Sequence, residues 1–393
     1  MNSKERHEAR YQRRKIKREI KRSEYAKYGD FDWVFSYKHL YKSFKRCCRN
    51  VGWKASTQKY KSLAPLKVHR TLKKLRNGKY RSKGFFEFDI IERGKKRHIR
   101  SVLIDERVVQ RCLCDYCLVP LLSRSFIYDN GASIRNKGYH FARNRVTKYL
   151  QRHARQYGKN GYALLFDFSK FFDNISHALC KRILRKHVKD IRIIRLVEHF
   201  IDMFGEIGLG LGSQISQIFA LASANELDHM IKEELEVKAY ERYMDDGCLI
   251  HNSKDFLKHC KHLIIQKCNE LGIKINAKKT QIVKLSRGFT WLKTKFYILE
   301  SRKILRKIAR ESVARTRNKL KALRRMVDER VLETGDVYMS FQSWRAYAYE
   351  FNAHRAIRSI ERLIDDLFPE LGGELKWTKS KQLLKSPYLT EMA

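Results

Sequence analysis

The sequence has little proline and few acidic residues for its length. Only 4 of its 393 residues are proline, and 42 Asp and Glu stand against 85 Lys and Arg, which gives a formal net charge of +43. Few prolines favour long helices. Hydrophobic residues at 43% supply a core and argue against a disordered basic tail. A folded chain with so much positive charge repels itself, and a polyanion such as nucleic acid is the partner that best offsets this repulsion.

Long apolar runs and disulfide patterns are also missing. No apolar run reaches the roughly 18 residues of a spanning helix, and the charged N-terminus does not resemble a signal peptide. Nine cysteines without framework spacing indicate reduced thiols. Cys112, Cys114 and Cys117 have no second ligand pair at zinc-site spacing, so we expect them to pack inside a buried helix. The sequence therefore predicts a cytoplasmic protein with no membrane partner.

The first 160 residues are predicted to be mostly helical and basic. Residues 1–28 form a helical or disordered arm that is either simply solvated or contacts phosphates. Aromatic residues recur with basic ones from Trp33 to Arg76, which favours a helical subdomain. Two β-prone runs flank Glu92-Arg93-Gly94 and predict a hairpin, and a helix is expected from about Asp105 to Leu122.

Two later segments place aspartates where a strand should be apolar. Asp167 ends the apolar run that starts at Gly161, and Asp245 and Asp246 fall at a tight turn within a predicted strand pair around Tyr243–His251. Neighbouring carboxylates raise each other's pKa unless a cation compensates, and Mg²⁺ prefers such oxygen ligands. The three aspartates could hold two metal ions about 3.5–4 Å apart. Asp-Asp-Gly is also an ordinary hairpin turn, so the spacing alone leaves both interpretations open.

The segments around these aspartates resemble reverse-transcriptase motifs in their family order. Phe166-Asp167…Phe171-Phe172-Asp173 is similar to motif A, and Tyr243-Met244-Asp245-Asp246 matches the motif C tetrapeptide. Gly208-Leu209-Gly210-Leu211-Gly212-Ser213-Gln214-Ile215-Ser216-Gln217 lies between them, where motif B belongs.

Further motifs extend the resemblance over roughly residues 84–300. Asn276-Ala277-Lys278-Lys279-Thr280 resembles motif D, and Gly288-Phe289-Thr290-Trp291-Leu292-Lys293 is placed like the primer-grip motif E. Lys95-Lys96-Arg97 and residues 105–110 are similar to the fingers motifs of bacterial reverse transcriptases. The chain is thus similar to bacterial and phage reverse transcriptases related to group II intron enzymes.

This resemblance implies an α+β right-hand polymerase. We expect a basic arm over residues 1–29, fingers over 30–160, a palm over 161–300 and a helical thumb over 301–393. The palm should carry the aspartates on an antiparallel sheet covered by helices. Eleven Lys and Arg between 302 and 325 would suit a helical thumb that grips duplex phosphates without reading sequence.

The resemblance also implies a reaction and a set of site residues. The reaction is RNA-directed DNA synthesis with two Mg²⁺ (Mn²⁺ could replace them), in which Asp167, Asp245 and Asp246 are the catalytic and metal-binding residues. Phe172 matches the steric-gate position that favours deoxynucleotides, and Lys279 is a candidate acid for pyrophosphate departure. The expected nucleotide-binding residues are Lys96, Arg97, Phe168, Phe172, Leu211, Gly212, Gln217 and Lys279. The expected nucleic-acid-binding residues are Arg306, Lys307, Arg310, Arg317 and Lys321.

Motif B departs from most relatives. Leu211 stands at the glutamine position and Gln217 replaces a proline, which looks more like the diversity-generating retroelement branch or some defence-associated enzymes. Losing a polar side chain over the nucleotide predicts lower fidelity. The implied partners are dNTPs, a DNA product and a template RNA, in the form of a cognate structured non-coding RNA. An accessory protein or a second copy of the chain is also compatible with the family.

Two other functions stay open at this stage. One is a nucleotidyl transferase on the same palm that makes RNA or needs no template, although Phe172 argues against ribonucleotides. The other is a non-catalytic RNA-binding relative, against which the three intact aspartates speak. The sequence does not distinguish gene diversification from resistance to phage.

Overall fold

The computed structural model describes residues 3–92 and 94–371. The chain divides into two compact units, each made of separate stretches. The first unit takes the described residues of Met1–Tyr128, Phe168–Met230 and Ile264–Ile275, and the second takes those of Asp129–Asp167, Ile231–Leu263 and Asn276–Ala393. In the described part of the chain, no helix has both the length and the apolar character needed to cross a lipid bilayer.

The chain begins with helices. They are α1 (Ser3–Ala26), α2 (Phe31–Val34), α3 (Tyr37–Cys47), α4 (Ala55–Lys61) and α5 (Ala64–Arg76). Ser36 caps α3 by accepting a hydrogen bond from the backbone of His39, and α5 has proline in its first turn, where no amide partner is lost. The predicted helical subdomain is confirmed, and the described arm residues are helical.

A hairpin and a broken helix complete this region. Strands β1 (Phe86–Glu92) and β2 (Lys95–Ser101) pair antiparallel, as predicted, and Arg93 of the expected turn lies outside the described residues. Helices α6 (Ile104–Leu113) and α7 (Val119–Leu122) flank a π-helical turn over Cys114–Leu118. The cysteines at 112, 114 and 117 are fully buried there, and all nine cysteines are free thiols. The prediction of core cysteines in a buried helix is confirmed.

The middle of the chain contains one strand, which is preceded by one helix and followed by five shorter ones. Its elements are α8 (Tyr139–Tyr157), β3 (Tyr162–Asp167), α9 (Phe171–Asn174), α10 (His177–His187), α11 (Ile191–Asp202), α12 (Gln214–Ser223) and α13 (Asn225–His229). The helix expected over 176–204 is interrupted at 188–190, because Asp190 accepts a hydrogen bond from the backbone of Arg192 and starts a new helix.

The remaining elements are four helices and the strands that, with β3, complete two sheets. They are β4 (Tyr240–Tyr243), β5 (Asp246–His251), α14 (Lys254–Glu270), β6 (Gln281–Lys284), β7 (Phe289–Trp291), β8 (Thr294–Ile298), β9 (Ile304–Ile308), α15 (Arg310–Asp328), α16 (Thr334–Ala348) and α17 (His354–Leu367). All pairs are antiparallel, in the orders β4-β5-β3-β6 and β7-β8-β9. The described chain is thus α+β, with an antiparallel sheet bearing the aspartates.

One expectation about the thumb is wrong. Residues 304–308, which include Arg306 and Lys307, form strand β9 rather than a helix. They pair with the preceding strand β8 along five residues, and this hairpin pairing overrides the local charge pattern. Helix begins only at Arg310, and residues 372–393 of the predicted thumb lie outside the described residues.

Two apolar clusters stabilise the second unit. The first joins one face of the four-stranded sheet to α8 and to the three-stranded sheet, through residues such as Leu150, Leu165 and Phe296. The second holds α15, α16 and α17 together through Leu320, Phe341 and Ile360. Each such side chain contributes about 1.5–3 kcal/mol by leaving water, so both the sheet and the thumb helices rest on their own cores.

Candidate active site

Asp167 lies at the end of a buried strand. The preceding residues of β3 are apolar and mostly buried, and Asp167 itself is only 5% exposed. The antiparallel register places Asp167 directly opposite Asp246, the first residue of β5. Because directly opposed residues of an antiparallel pair have neighbouring side chains, the sheet itself brings two of the predicted catalytic carboxylates together.

Asp245 lies in the tight turn that joins β4 to β5. Tyr243 pairs with Asp246, so the turn consists of Met244 and Asp245. Met244 has a left-handed φ of 56°, which costs a non-glycine residue about 1–2 kcal/mol. Arg242, which is fully buried, donates a hydrogen bond from Nη1 to the Met244 carbonyl at 2.7 Å. Arg242 thus holds the turn that presents the two aspartates, a role that the sequence did not reveal.

The two aspartates of the turn repel each other and Asp167. Burial, with the nearby charges of Asp245 and Asp167, raises the pKa of Asp246 to about 7. Burial also raises the pKa of Asp245, and the charge of Asp167 adds to this effect. Carboxylates that are hard to ionise at neutral pH favour a compensating cation nearby.

Lys279 and Asn276 hold the carboxylate of Asp167. Lys279 Nζ donates to Oδ2 of Asp167 at 2.7 Å, and Asn276 Nδ2 donates to Oδ1 at 3.1 Å. Burial lowers the pKa of Lys279, but the hydrogen bond to Asp167 and the charges of the other aspartates raise it overall. The structure therefore brings the predicted motif D lysine to the predicted motif A aspartate.

The donor chemistry of this cluster fits Mg²⁺. Three carboxylates at the end of one sheet offer oxygen ligands, and the raised pKa values of two of them show the electrostatic demand for a cation. Among residues 3–92 and 94–371, no three His, Cys, Asp or Glu side chains are already gathered closely enough to hold a metal ion. The ammonium group of Lys279 is the cation that contacts Asp167 here.

Next to the aspartates, the side chain of Phe166 on β3 packs directly against the glycine at position 247 of β5. Gly247 is the register partner of Phe166, and a Cβ at position 247 would lie 2.1 Å from the Phe166 ring. No real side chain tolerates such a contact, so the ring occupies the space that any larger residue would need. This close packing constrains how β3 and β5 lie against each other next to the carboxylates.

The aromatic residues that follow Asp167 belong to the first unit and differ in exposure. Phe168 is 2% exposed and its ring packs 4.9 Å from that of Phe171, so the side chain is a core group. Phe172 is half-buried, and its carbonyl accepts a hydrogen bond from the backbone of Leu209 at 2.7 Å. The predicted steric-gate residue is thus tied to the motif B loop.

Motif B is held by strand β2 within the same unit. The Leu211 carbonyl accepts a hydrogen bond from the backbone of Arg100 at 3.0 Å. Gly212 has a φ of +109°, which L side chains rarely adopt, and a Cβ there would meet the Arg100 carbonyl at 3.0 Å. Leu211 is half-buried, whereas Gln217 is exposed on α12. The backbone around the predicted nucleotide-binding residues is therefore fixed.

Lys96 and Arg97 leave β2 on opposite faces of the hairpin, as adjacent residues of a strand do. Lys96 forms an ion pair with Asp89 at 2.9 Å, and Arg97 pairs with Glu92 at 2.8 Å. The structure does not bring the two side chains together on one face, so a ligand on a given face meets only one of them.

Four of the five predicted nucleic-acid-binding residues line one groove of about 1210 Å³ between α15 and α17; they are Lys307, Arg310, Arg317 and Lys321. Arg355 and Arg362 of α17 complete the groove and were missed, although their seven-residue spacing on one helix was a signal. Arg306 does not line it. Its Nη1 donates to Asn144 Oδ1 at 2.9 Å, which ties β9 to α8.

Comparison with known proteins supplies independent findings. Residues 81–296 match the family described as reverse transcriptase (RNA-dependent DNA polymerase). Solved structures with a similar fold include telomerase from Candida albicans in complex with a TWJ fragment of telomeric RNA, at 11% identity and a TM-score of 0.46, over 63% of this chain and 52% of that chain. Apo telomerase from Candida tropicalis matches at 16% identity and 0.42, over 63% of this chain and 53% of that chain.

The same comparison sets limits. The chain covers only about half the length of these telomerase structures. No curated protein matches the sequence.

Proposed function

Because this chain belongs to the reverse transcriptase (RNA-dependent DNA polymerase) family, we propose that it copies RNA into DNA by adding nucleotides to a primer 3′-hydroxyl. The observation that carries the proposal is the pairing of Asp167 with Asp246 across β3 and β5, with Asp245 in the adjoining turn. A non-catalytic relative would have no need to keep one buried and two half-buried carboxylates that repel each other at one end of a sheet.

Asp167, Asp245 and Asp246 would hold Mg²⁺, as two ions, with Mn²⁺ as a possible substitute. When bound, the metal supplies activation of the primer hydroxyl and charge stabilisation of the departing pyrophosphate. Lys279 binds Asp167 and carries the proton that pyrophosphate departure needs. Arg242 and Asn276 orient the turn and the Asp167 carboxylate.

The nucleotide-binding assignments remain part of the proposal. Phe172 would exclude a ribose 2′-hydroxyl, and Leu211 and Gly212 would lie along the nucleotide with backbone fixed by Arg100. Phe168 would support the nucleotide site from the core. Gln217 would contact the nucleotide from an exposed position, together with either Lys96 or Arg97, depending on which face of the hairpin the nucleotide meets. An aliphatic residue at 211 supports lower fidelity, because it offers no hydrogen bond to the base or sugar.

The nucleic-acid partners follow from charge and shape. The groove between α15 and α17 would follow the phosphates of the template–product duplex, with Arg355 and Arg362 added to the predicted residues. The net charge of +43 supports a large RNA partner, in the form of a cognate structured RNA. The motif B departures support a bacterial or phage retroelement or an antiphage system as the setting. The proposed domains are a basic arm over residues 1–29, fingers over 30–160, a palm over 161–300 and a thumb over 301–393.

The test is primer extension by the full-length protein on an RNA template with Mg²⁺. We expect dNTP-dependent products of template sequence, no extension with NTPs, and no products from Asp245→Asn. Extension with NTPs would favour an RNA polymerase, and products without template would favour a terminal transferase. If the wild type and Asp245→Asn are both inactive yet bind RNA equally, the non-catalytic alternative replaces the proposal.

A further inference from the structure

Arg143 is a buried cation to which the mechanism assigns no task. It lies on α8, its side chain is 3% exposed, and its Nη2 donates to Oε2 of Glu350 at 2.5 Å. Its Nε also donates to the Tyr139 carbonyl at 3.2 Å. A guanidinium withdrawn from water this far needs its carboxylate partner, because an unpaired buried charge is strongly unfavourable.

The partner carboxylate belongs to the thumb. Glu350 follows the end of α16, and His140 of α8 lies 2.8 Å from its other oxygen. Two aromatic rings from the same end of α16 enclose the guanidinium, with Phe351 at 5.1 Å and Tyr347 at 5.8 Å from their ring centroids. One side chain of α8 is therefore enclosed by charge and aromatic faces of the thumb.

The same segment of α8 reaches the catalytic turn. The ring of Tyr139 lies 4.5 Å from that of Tyr243, the residue that precedes Met244 and Asp245. The guanidinium of Arg143 lies 5.8 Å from the Tyr139 ring. Within the second unit, a continuous line of contacts therefore runs from Tyr243 through Tyr139 and Arg143 to Glu350.

A second tie between α8 and the thumb base lies close by. Arg306 of β9 donates to Asn144, one residue along α8 from Arg143. The Arg306 backbone exchanges two hydrogen bonds with Asn352, two residues beyond Glu350. Together, the two arginines fasten the segment 350–352 to α8.

We propose that Arg143 is a positioning residue that fastens the thumb helices to α8 behind the catalytic turn, and so determines how many nucleotides are added per binding event. The inference rests on the proposed polymerase function. It assigns Arg143 no part in the chemistry, because Arg143 contacts none of the catalytic aspartates. Its effect is on the angle at which α15, α16 and α17 hold a duplex relative to Asp245 and Asp246.

The variants are Arg143→Lys, which keeps the charge but loses the planar fork, and Glu350→Gln, which removes the acceptor charge. Arg145→Lys is the matched control, because Arg145 lies on the same helix as Arg143 and forms its ion pair with Asp129 at 2.5 Å. Extension is measured with a trap that captures dissociated enzyme. We expect product length per binding event to fall about five- to tenfold for both variants, with first-nucleotide addition within about twofold of wild type. Arg145→Lys should keep the wild-type product length.

A distance measurement tests the attachment of the thumb helices to α8 independently of polymerase activity. Spin labels are attached at Gln151→Cys of α8 and Arg315→Cys of α15, in a Cys48→Ser background. They report the distance between α8 and the thumb helix α15 in the full chain. We expect Arg143→Lys and Glu350→Gln to broaden this distribution and Arg145→Lys to leave it narrow.

Each outcome decides a different point. Unchanged product length and an unchanged distribution in both variants would overturn the proposal, as would a loss of first-nucleotide addition equal to the loss of length. If the wild type does not polymerise but the variants broaden the distance distribution, the proposed function fails, whereas the role of Arg143 in attaching the thumb to α8 is supported.

Discussion

The ammonium group of Lys279 lies 2.7 Å from Oδ2 of Asp167, so one predicted site residue supplies the counter-charge of another. Lys279 is still 56% exposed at its side chain, whereas that of Asp167 is 7% exposed. The lysine therefore reaches in from solvent to a buried carboxylate. Such a cation competes with a divalent metal for the same oxygen.

Lys279→Met should separate these two effects. Removing the ammonium frees Asp167, so the Mg²⁺ concentration at the midpoint of a thermal-shift titration should fall severalfold. Nucleotide addition at saturating Mg²⁺ should nevertheless slow by about 10²-fold, since a proton donor is lost. Lys278→Met, an exposed neighbour, should change neither quantity. An unchanged Mg²⁺ midpoint in Lys279→Met would show that the two cations do not compete.

Asp246→Asn should stabilise the protein while it abolishes extension. The folded-state pKa of Asp246 is about 7, above its ordinary value of 3.8, so folding is favoured by the protonated form and stability is lost as pH rises through 7. In EDTA at pH 8 the free energy of unfolding of the variant should therefore exceed that of the wild type by up to about 4 kcal/mol, at roughly 1.4 kcal/mol per pKa unit. At pH 4 the difference should nearly vanish. The exposed Asp173→Asn serves as the control, and equal stability of Asp246→Asn and wild type at pH 8 would contradict the account.

Leu211→Gln should raise fidelity. The backbone at 211 is fixed by its hydrogen bond from Arg100, so the substitution changes the side chain without moving the loop. A carboxamide that bonds the correctly placed nucleotide should lower misincorporation by about tenfold, measured by sequencing extension products. Ile207→Gln, at an exposed position of the same loop, should leave the error rate as it is. An unchanged error rate in Leu211→Gln would remove residue 211 as the cause of low fidelity.

The thumb groove should contribute non-specific affinity. Lys321→Ala and Arg362→Ala should each weaken binding of an RNA–DNA duplex to the same extent for different sequences. Each should also reduce the slope of log K against log salt by about 1, since one phosphate contact is lost. Arg358→Ala, an exposed arginine of α17 outside the groove, should leave the slope unchanged. A sequence-dependent loss would mean that the groove reads bases.

Glu241 gives a pH signature of its own. It is fully buried on β4, and within the described part of the chain neither of its carboxylate oxygens has a hydrogen-bond partner. Burial, with the charge of Asp129, raises its pKa to about 10. The folded state keeps this proton when the unfolded chain has lost it, so stability should fall from about pH 5 towards pH 10. Glu241→Gln should remove that fall, by up to about 1.4 kcal/mol per pH unit, in urea unfolding at pH 6 to 9. Parallel pH profiles for both proteins would contradict the prediction.

The sequence predicted the strands that carry the aspartates because the signal there is local. The change from Leu165-Phe166 to Asp167, and the flanking β-prone runs around Asp245, are visible without any partner. Strand β9 was missed because the dense basic residues around it, including Arg306 and Lys307, hide the hairpin that it forms with the preceding strand β8. Arg143 and Arg242 look like any other basic residue in so basic a chain, and only burial against Glu350 or the Met244 carbonyl distinguishes them.

The contact of Gly247 with the Phe166 ring has a consequence for how such sequences diverge. A single change to a larger residue at 247 collides with the ring, and a single change to a smaller residue at 166 leaves a void under the carboxylates. Only a coordinated exchange avoids both penalties, so the fitness effect of either mutation depends on the other. Homologues should therefore show these two positions covarying, and any evolutionary path away from the pair must cross a poorly folded intermediate.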